Sequence, residues 1–502
     1  MLRTFLRNTA AGYVLKALQM ALGLVAIPVL VARIGADGYG LILLAGTLLG
    51  YFAVFDLGMS DAITKFVAQY DAAGDRNAVD RIIGTSLATF AVIGTSLCAV
   101  VLLAIQLGAL EMFDIPETLR ADAETIFFLT AGLSILAWPR LALQGALRGL
   151  QDFVPLNIVT GLGRVLAVSL AIALALGNAP LPAIYVALQA DLFLSLAFLP
   201  MLVRRRLPGW TPRFGQVSRA TLMLIWSFSL WLMLSKVAVM LEYQLDTLIL
   251  GIALPLSAIT TYAVLTYPFR MLQQFSGLAA LAAMPAVSSA ASARNETALA
   301  LFRLKGARLH NAFLAVMTGT LLLILEPFLR LWMGPKWLDQ IWIAYLATGF
   351  QFMWQSNAFV GQVYTGLGLA KKPGIVAIIT GVTNLVLSLA LVQVLGVAGV
   401  ILGTVLAGLA GVLLFVVWCL PDIDITPRDY LFEILLKGQG PIWLATLVLF
   451  SLLRAGGVDI AGWASLLAVA TAVFAVLLAT AVGFVLGAND RAFLLAKLRH
   501  RS

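Results

Sequence analysis

The fold class this sequence predicts is an all-α, polytopic integral membrane protein with 14 transmembrane helices, in two pseudo-symmetric six-helix lobes plus two C-terminal helices. Three observations predict it. Hydrophobic residues make up 61% of the 502 residues and charged residues only 11%, with a mean hydropathy of +0.99, a balance no soluble domain approaches. A pattern of helix end, polar turn and apolar helix recurs about 220 residues apart. The basic residues collect on alternate connections between apolar runs.

The recurring stretch is ALQGALRGLQDFVPLNIVTGLGRVLAVSLAIAL, residues 142–174, against QVYTGLGLAKKPGIVAIITGVTNLVLSLALVQV, residues 362–394. Both have a small-residue helix end, a polar turn, a proline shortly after it and a Thr-Gly pair, Thr160-Gly161 and Thr380-Gly381. The same offset sets the loop Phe113–Pro116 over Met333–Pro335, and Arg76-Asn77 close to Arg294-Asn295. Internal symmetry of this kind is a feature of transporters, with the substrate held where the repeats meet.

Taking about 20 apolar residues as one crossing, the spans lie near 9–32, 39–64, 81–108, 122–147, 154–177, 180–203, 222–252, 257–285, 308–333, 340–366, 374–395, 397–419, 434–454 and 461–486. They group into an N-terminal lobe (1–206), a C-terminal lobe (207–420), and a linker with two further helices (421–502). The first span follows Arg3 and Arg7, continues past Val31 and has no small-residue cleavage site, so it reads as a retained helix and not as a signal peptide. An even number of spans per lobe gives both the same orientation, as parallel repeats require. The linker PDIDITPRDYLFEILLKGQGP reads as an exposed acidic connection; its Asp422-Ile423-Asp424 has no glycosyltransferase domain to serve. Gly399 and Gly403 form a GxxxG pair expected to pack helices.

With cytoplasmic termini, the inner side receives 23 of the 33 Lys and Arg and the outer side 5 (Arg33, Arg120, Arg330, Lys336, Arg454). The positive-inside rule is satisfied, which also explains the net charge of +9 without a nucleic-acid partner. The expected location is the cell inner membrane.

The remaining five basic residues lie inside spans. Exposing Lys16, Arg164, Lys236 and Arg270 to lipid would cost on the order of 10 kcal/mol, so they face protein or water; Arg140, nearer a span end, can snorkel. In span 1, Lys16 and Gln19 share a face with Thr9, Gly12 and Gly23; in span 8, Thr266, Arg270, Gln273 and Gly277 do the same. Span 7 carries Lys236 and Tyr243 on one face, with Glu242 and Asp246 on an adjacent one. In span 2, Asp56, Ser60 and Thr64 are in line, and Asp61 precedes Lys65 by four, an ion pair expected to be structural. The candidate binding residues are therefore Lys16, Lys236, Arg270, Gln19, Gln273 and Tyr243, a cationic pocket suited to phosphate oxygens. Asp56, Glu242 and Asp246 are candidates for ion coupling or charge pairing, and Arg164 and Asp191 are expected to pair and hold the first lobe together.

Several chemistries are excluded. Cys98 and Cys419 both lie in apolar spans and only two histidines occur, so neither a disulfide framework nor a metal centre is expected, nor any other cofactor. No GxxxxGK[ST] segment is present. Gly161-Leu162-Gly163 lies in a membrane helix and follows no strand, and no loop is long enough for a catalytic domain, so the chain is not expected to be an enzyme.

Residues 32–70, ARIGADGYGLILLAGTLLGYFAVFDLGMSDAITKFVAQY, and 241–272, LEYQLDTLILGIALPLSAITTYAVLTYPFRML, resemble bacterial lipid-linked oligosaccharide flippases of the O-antigen translocase type. The resemblance extends over essentially the whole chain. It implies the two-lobed fold of the multidrug, oligosaccharidyl-lipid and polysaccharide exporter superfamily. It also implies movement of an undecaprenyl-pyrophosphate-linked glycan between leaflets for polysaccharide (O-antigen, lipopolysaccharide) biosynthesis, through alternating access driven by a coupling ion, H+ or Na+, with a polysaccharide polymerase as a partner. Related alternatives are a multidrug and cation antiporter and a peptidoglycan-precursor flippase; the arginine-rich first span associated with the latter is absent. An intramembrane glycan polymerase would need a long outer loop.

Overall fold

The computed structural model describes residues 2–52, 56, 58–211, 217–226, 245–281, 283–369 and 371–487, without the side chains of 2–17, 51, 52, 275, 278, 279, 281, 285, 286 and 351. Every regular element among them is helical. Two compact units are present, Met1–Thr261 and Tyr262–Ser502.

The first unit contains α1 (Leu2–Phe52), α2 (Met59–Ala72), α3 (Arg76–Gln106), α4 (Arg120–Gly149), α5 (Phe153–Leu176), α6 (Leu181–Leu188), α7 (Ala190–Arg206) and α8 (Leu245–Ala253), and ends within α9 (Leu256–Leu281). Gly35, at φ 76°, divides α1 into the first two expected spans, a backbone geometry that costs glycine nothing. Beside it, the Asp37 carboxylate accepts the Ser257 N–H at 2.8 Å and the Thr260 hydroxyl donates to the Ala36 carbonyl at 2.6 Å. These bonds tie the start of α9 to the first unit. The core joins Ile63 and Val67 of α2, Ile83 and Phe90 of α3, Trp138 and Leu147 of α4, and Leu199 of α7.

The second unit continues through α10 (Ala283–Ser292), α11 (Glu296–Ala300), α12 (Ala307–Met333), α13 (Ile341–Gln355), α14 (Ala358–Gly366), α15 (Lys371–Leu395), α16 (Val397–Trp418), α17 (Lys437–Ala455) and α18 (Trp463–Thr480). Helices α15 and α16 pack backbone to backbone: a Cβ on Gly403 would lie 2.7 Å from the Ser388 hydroxyl, and one on Gly399 would overlap the Leu391 carbonyl. The GxxxG pair thus packs helices as expected. Helices α17 and α18 lie on α12 through Ile442, Val473, Leu477, Ala315 and Val316.

Ten helices among the described residues are long and apolar enough to cross a membrane. The difference from 14 has identifiable sources. The first two spans count as one helix across Gly35. The seventh falls largely on 227–244, outside the described residues. The eighth, α9, carries Arg270, Gln273 and Gln274, and the tenth is divided at Ser356-Asn357 into α13 and α14.

The sequence repeat is visible as repeated backbone devices. After α2, Gly74 is left-handed (φ 72°), the Asp75 N–H bonds to the Tyr70 carbonyl at 3.0 Å, and the Asp75 side chain caps α3 at Ala78 N–H (2.9 Å). Exactly the same set recurs 220 residues on: Arg294 (φ 51°), the Asn295 N–H to Ala290 (2.9 Å), and the Asn295 cap on Ala298 N–H (3.0 Å). The register is therefore Gly74-Asp75 over Arg294-Asn295, an offset of 220 that puts Arg76-Asn77 two residues past them, close by as expected. Thr160 and Thr380 each donate to the carbonyl four residues back, at 2.9 Å. Gly149 and Gly366 let α4 and α14 approach α2 and α10: a Cβ would sit 2.7 Å from the Thr64 carbonyl and 2.9 Å from the Met284 carbonyl.

The linker after α16 is not simply exposed. Ile423 and Ile425 are buried, Asp422 accepts from Lys372 at 2.7 Å and from the Tyr364 hydroxyl at 2.5 Å, and Asp424 pairs with Arg303 at 2.9 Å. Hydrogen bonds from Lys372 and then Tyr364 hold the Asp422 carboxyl below its ordinary pKa.

Candidate functional site

In the second unit, α9 presents Tyr262, Thr266, Arg270 and Gln273 at helical spacing. Thr266 is buried and donates to the Tyr262 carbonyl at 2.6 Å. Arg270 is half-buried with its guanidinium 5.4 Å from the Tyr262 ring centroid, and Gln273 is also half-buried. Among the described residues no carboxylate lies within ion-pair distance of Arg270. A guanidinium resting on an aromatic face keeps its donors available for an incoming oxyanion.

In the first unit, Asp191 sits in the first turn of α7, where the helix N-terminus favours a carboxylate. It accepts from Arg140 Nη1 at 3.0 Å and lies 3.9 Å from Arg164 Nη1, which itself donates to the Leu188 carbonyl at 3.1 Å. That carbonyl is available because the sixth expected span breaks at Gln189. Arg164 and Asp191 are thus neighbours, with Arg140 as the closer partner; the snorkelling role expected for Arg140 overlooked this contact, since helix-to-helix register between α4 and α7 is not encoded in periodicity.

Asp56 is 3% exposed and accepts from both the Ser60 N–H (2.9 Å) and the Ser60 hydroxyl (2.8 Å), so it organises the start of α2. Thr64 continues the line, donating to the Ser60 carbonyl at 2.9 Å and the Gly145 carbonyl at 3.2 Å. Asp246 is buried in the first turn of α8. Gln19 is exposed. Lys236, Glu242 and Tyr243 lie outside the described residues, and Lys16 is described only as part of the α1 backbone.

The second unit also holds a buried polar knot that sequence reasoning missed. Asn311 of α12 donates to the Ser356 carbonyl at 3.1 Å, and Gln439 of α17 donates to Asn311 and, at 3.0 Å, to the Ser356 hydroxyl. His310, next to it, contacts the Gln355 carbonyl at 3.3 Å and Ser276 at 3.4 Å. The knot fastens the α13–α14 break. A separate cavity of about 550 Å³ is lined by Glu326, Arg330, Arg454 and Asp459. Its equal numbers of carboxylates and guanidiniums give it no preference for an anion.

Residues 5–291 match the model of a family described as "Polysaccharide biosynthesis protein". The "Uncharacterized membrane protein EpsK" of Bacillus subtilis (strain 168) is 24% identical over 399 residues, 77% of either chain. Among solved structures, the lipid II flippase MurJ in an inward closed conformation superposes with a TM-score of 0.71 at 14% identity, over 93% of this chain and 97% of that one. An inward-facing multidrug resistance MATE family transporter of the MOP superfamily gives 0.64 at 18% identity, over 81% and 94%. These structures share a fold with the chain. With the family match running over more than half its length, the chain belongs to the polysaccharide biosynthesis protein family, as a multi-pass membrane protein with the helical fold of MOP-superfamily transporters.

Proposed function

We propose that this protein flips an undecaprenyl-pyrophosphate-linked oligosaccharide from the cytoplasmic to the outer leaflet of the inner membrane. The observation that carries this reading is Arg270: a half-buried cation in the long helix α9, the eighth expected span, resting on Tyr262 and without a carboxylate partner among the described residues. Lys16 and Lys236, each sharing a face of its expected span with other polar residues, complete the proposed cationic cavity. Such a cavity attracts pyrophosphate and repels the cationic substrates of a drug antiporter. The family match and the lipid-carrying neighbour MurJ support the same substrate class.

In this mechanism the headgroup enters the cavity while the polyprenyl tail stays in lipid. Loss of water on closure lowers the effective dielectric and strengthens the pull of each cation on the phosphates. Rocking of the two lobes then exposes the sugar to the other side, driven by an H+ or Na+ gradient. Both termini lie in the cytoplasm in this scheme, the orientation that the excess of basic residues on one side favours, and a polysaccharide polymerase receives the product.

The test is transport by the purified protein in proteoliposomes, with a fluorescent polyprenyl-diphosphate oligosaccharide and, in parallel, a cationic dye. Transfer of the glycolipid between leaflets without dye transport is the expected result. Dye exchange with no glycolipid movement for neutral and anionic glycans alike would overturn the proposal in favour of antiport.

A further inference from the structure

Arg140 and Arg164 share a single carboxylate, and the sharing is unequal. Asp191 takes a 3.0 Å hydrogen bond from Arg140 but stands 3.9 Å from Arg164. Arg140 is committed to this contact: its Nε is buried without an acceptor among the described residues, and its side chain is 26% exposed. Arg164 is 45% exposed. No second carboxylate lies within ion-pair distance of either arginine among the described residues, so the cluster carries a net charge of +1 halfway along α5, a helix apolar and long enough to cross the membrane.

Arg164 does not lie on the main exposed apolar stripe of its helix. Ile158, Leu162, Leu166 and Leu170 form the exposed apolar stripe of α5. At 3.6 residues per turn, Arg164 lies on the opposite side of the helix, in line with Asn157 and Thr160. A net positive charge at this depth, on the polar face of its helix, calls for a mobile anion. Gly163 helps set the geometry: a Cβ there would come within 3.3 Å of the Asp191 Cα and Cβ, so a side chain would push Asp191 off α5 by a few tenths of an ångström.

We propose that Arg140, Arg164 and Asp191 form a second oxyanion site in which Asp191 is a resident stand-in anion that gives up Arg164 to the substrate. In the empty site Asp191 holds Arg164 loosely and keeps it oriented. When a phosphate or a sugar carboxylate arrives, the Arg164 guanidinium turns to it, with two donors available for a forked pair, and Arg140 alone neutralises Asp191. The unequal distances are the geometric basis of this exchange: the arginine that must leave Asp191 is the one held by it at 3.9 Å, and its Nη1 bond to the Leu188 carbonyl at 3.1 Å leaves the other guanidinium donors for the incoming anion. This inference rests on the flippase reading, because that reading supplies the anionic headgroup, but the site is distinct from Arg270.

The test is equilibrium binding of farnesyl diphosphate and, separately, glucuronate to the full-length protein in detergent, for wild type, Arg164→Ala, Arg164→Lys, Asp191→Asn and Arg270→Ala, each checked for folding by thermal unfolding. Removing the competing carboxylate in Asp191→Asn is expected to tighten binding, and Arg164→Ala to weaken it, each by about tenfold, with Arg164→Lys, which keeps the charge but not the fork, falling between Arg164→Ala and wild type. Tightening for the diphosphate alone assigns the site to the lipid headgroup; tightening for glucuronate alone assigns it to the glycan. Should Asp191→Asn not fold, equal binding by Arg164→Ala and Arg164→Lys would overturn the proposal. Unchanged or weaker binding in folded Asp191→Asn would overturn it too. Binding lost in Arg270→Ala but intact in Arg164→Ala would remove this site and leave the flippase reading standing, whereas no binding of either anion by wild type would remove both.

Discussion

The turn after α4 and the turn after α14 have the same backbone and opposite chemistry. In each, a left-handed residue (Gln151, φ 56°; Gly368, φ 79°) closes the helix with its successor's N–H bonded to the carbonyl five residues back, Asp152 to Leu147 at 2.9 Å and Leu369 to Tyr364 at 3.2 Å. In the first, the turn supplies the acid: Asp152 lies 3.5 Å from Arg206, which also donates to the Leu150 carbonyl. In the second, the neighbouring helix supplies the base, Lys372, and the acid comes from the linker as Asp422. The repeat therefore preserves close approaches and turn geometry, while each half is fastened by whatever chain passes nearby. Only the second half has a linker to hold, and its polar fastenings follow that difference.

The largest effect expected from breaking the shared part comes from the glycines. Gly149→Ala and Gly366→Ala each put a methyl against a backbone carbonyl and should destabilise the protein by about 1–3 kcal/mol, read as thermal unfolding in detergent; a large loss in one half only would show that the halves do not share this contact. Next come the caps. Asp75→Ala and Asn295→Ala should each cost about 1 kcal/mol and by similar amounts, again measured by unfolding.

The unshared fastening gives a pH signature. The Asp422 pKa is held down in the folded protein by Lys372 and Tyr364, so its stabilisation is complete above the ordinary carboxylate pKa and is lost as pH falls through the depressed value, below about pH 4. Asp422→Asn should lower the unfolding temperature near neutral pH, and the gap to wild type should close in acid; a gap independent of pH would contradict the pair. The smallest effect has the opposite sign. Arg294 occupies the left-handed position that Gly74 fills in the first half, so Arg294→Gly should stabilise by about 0.5 kcal/mol, detected as a slightly raised unfolding temperature.

Most of this fold was legible in the sequence because helices that span a membrane must be apolar over a set length, and because a repeat copies turn residues along with it. The Thr-Gly pairs and the GxxxG pair were readable for the same reason: small residues mark backbone contact. What was not readable depends on register between helices. Asp191 could be matched to Arg164 by plausibility, but the closer Arg140 contact follows from how far α7 slides along α4. The Asn311–Ser356–Gln439 knot joins residues as much as 128 positions apart, and in the sequence each looks like an isolated polar residue in an apolar run. The linker misled because Asp422 and Asp424 are hydrophilic; their partners Lys372, Tyr364 and Arg303 come from other helices. Of the candidate cavity, Arg270 and Gln273 share a face of α9 as phase required.

The most direct test of the proposed transport is the initial rate at which Arg270→Ala, reconstituted at the same density as wild type and with an unchanged unfolding temperature, flips a polyprenyl-diphosphate oligosaccharide. Loss of a charge-assisted contact made to the moving headgroup should slow flipping by about tenfold or more, with Arg270→Lys slowed less. A folded Arg270→Ala that flips at the wild-type rate would contradict the cationic cavity.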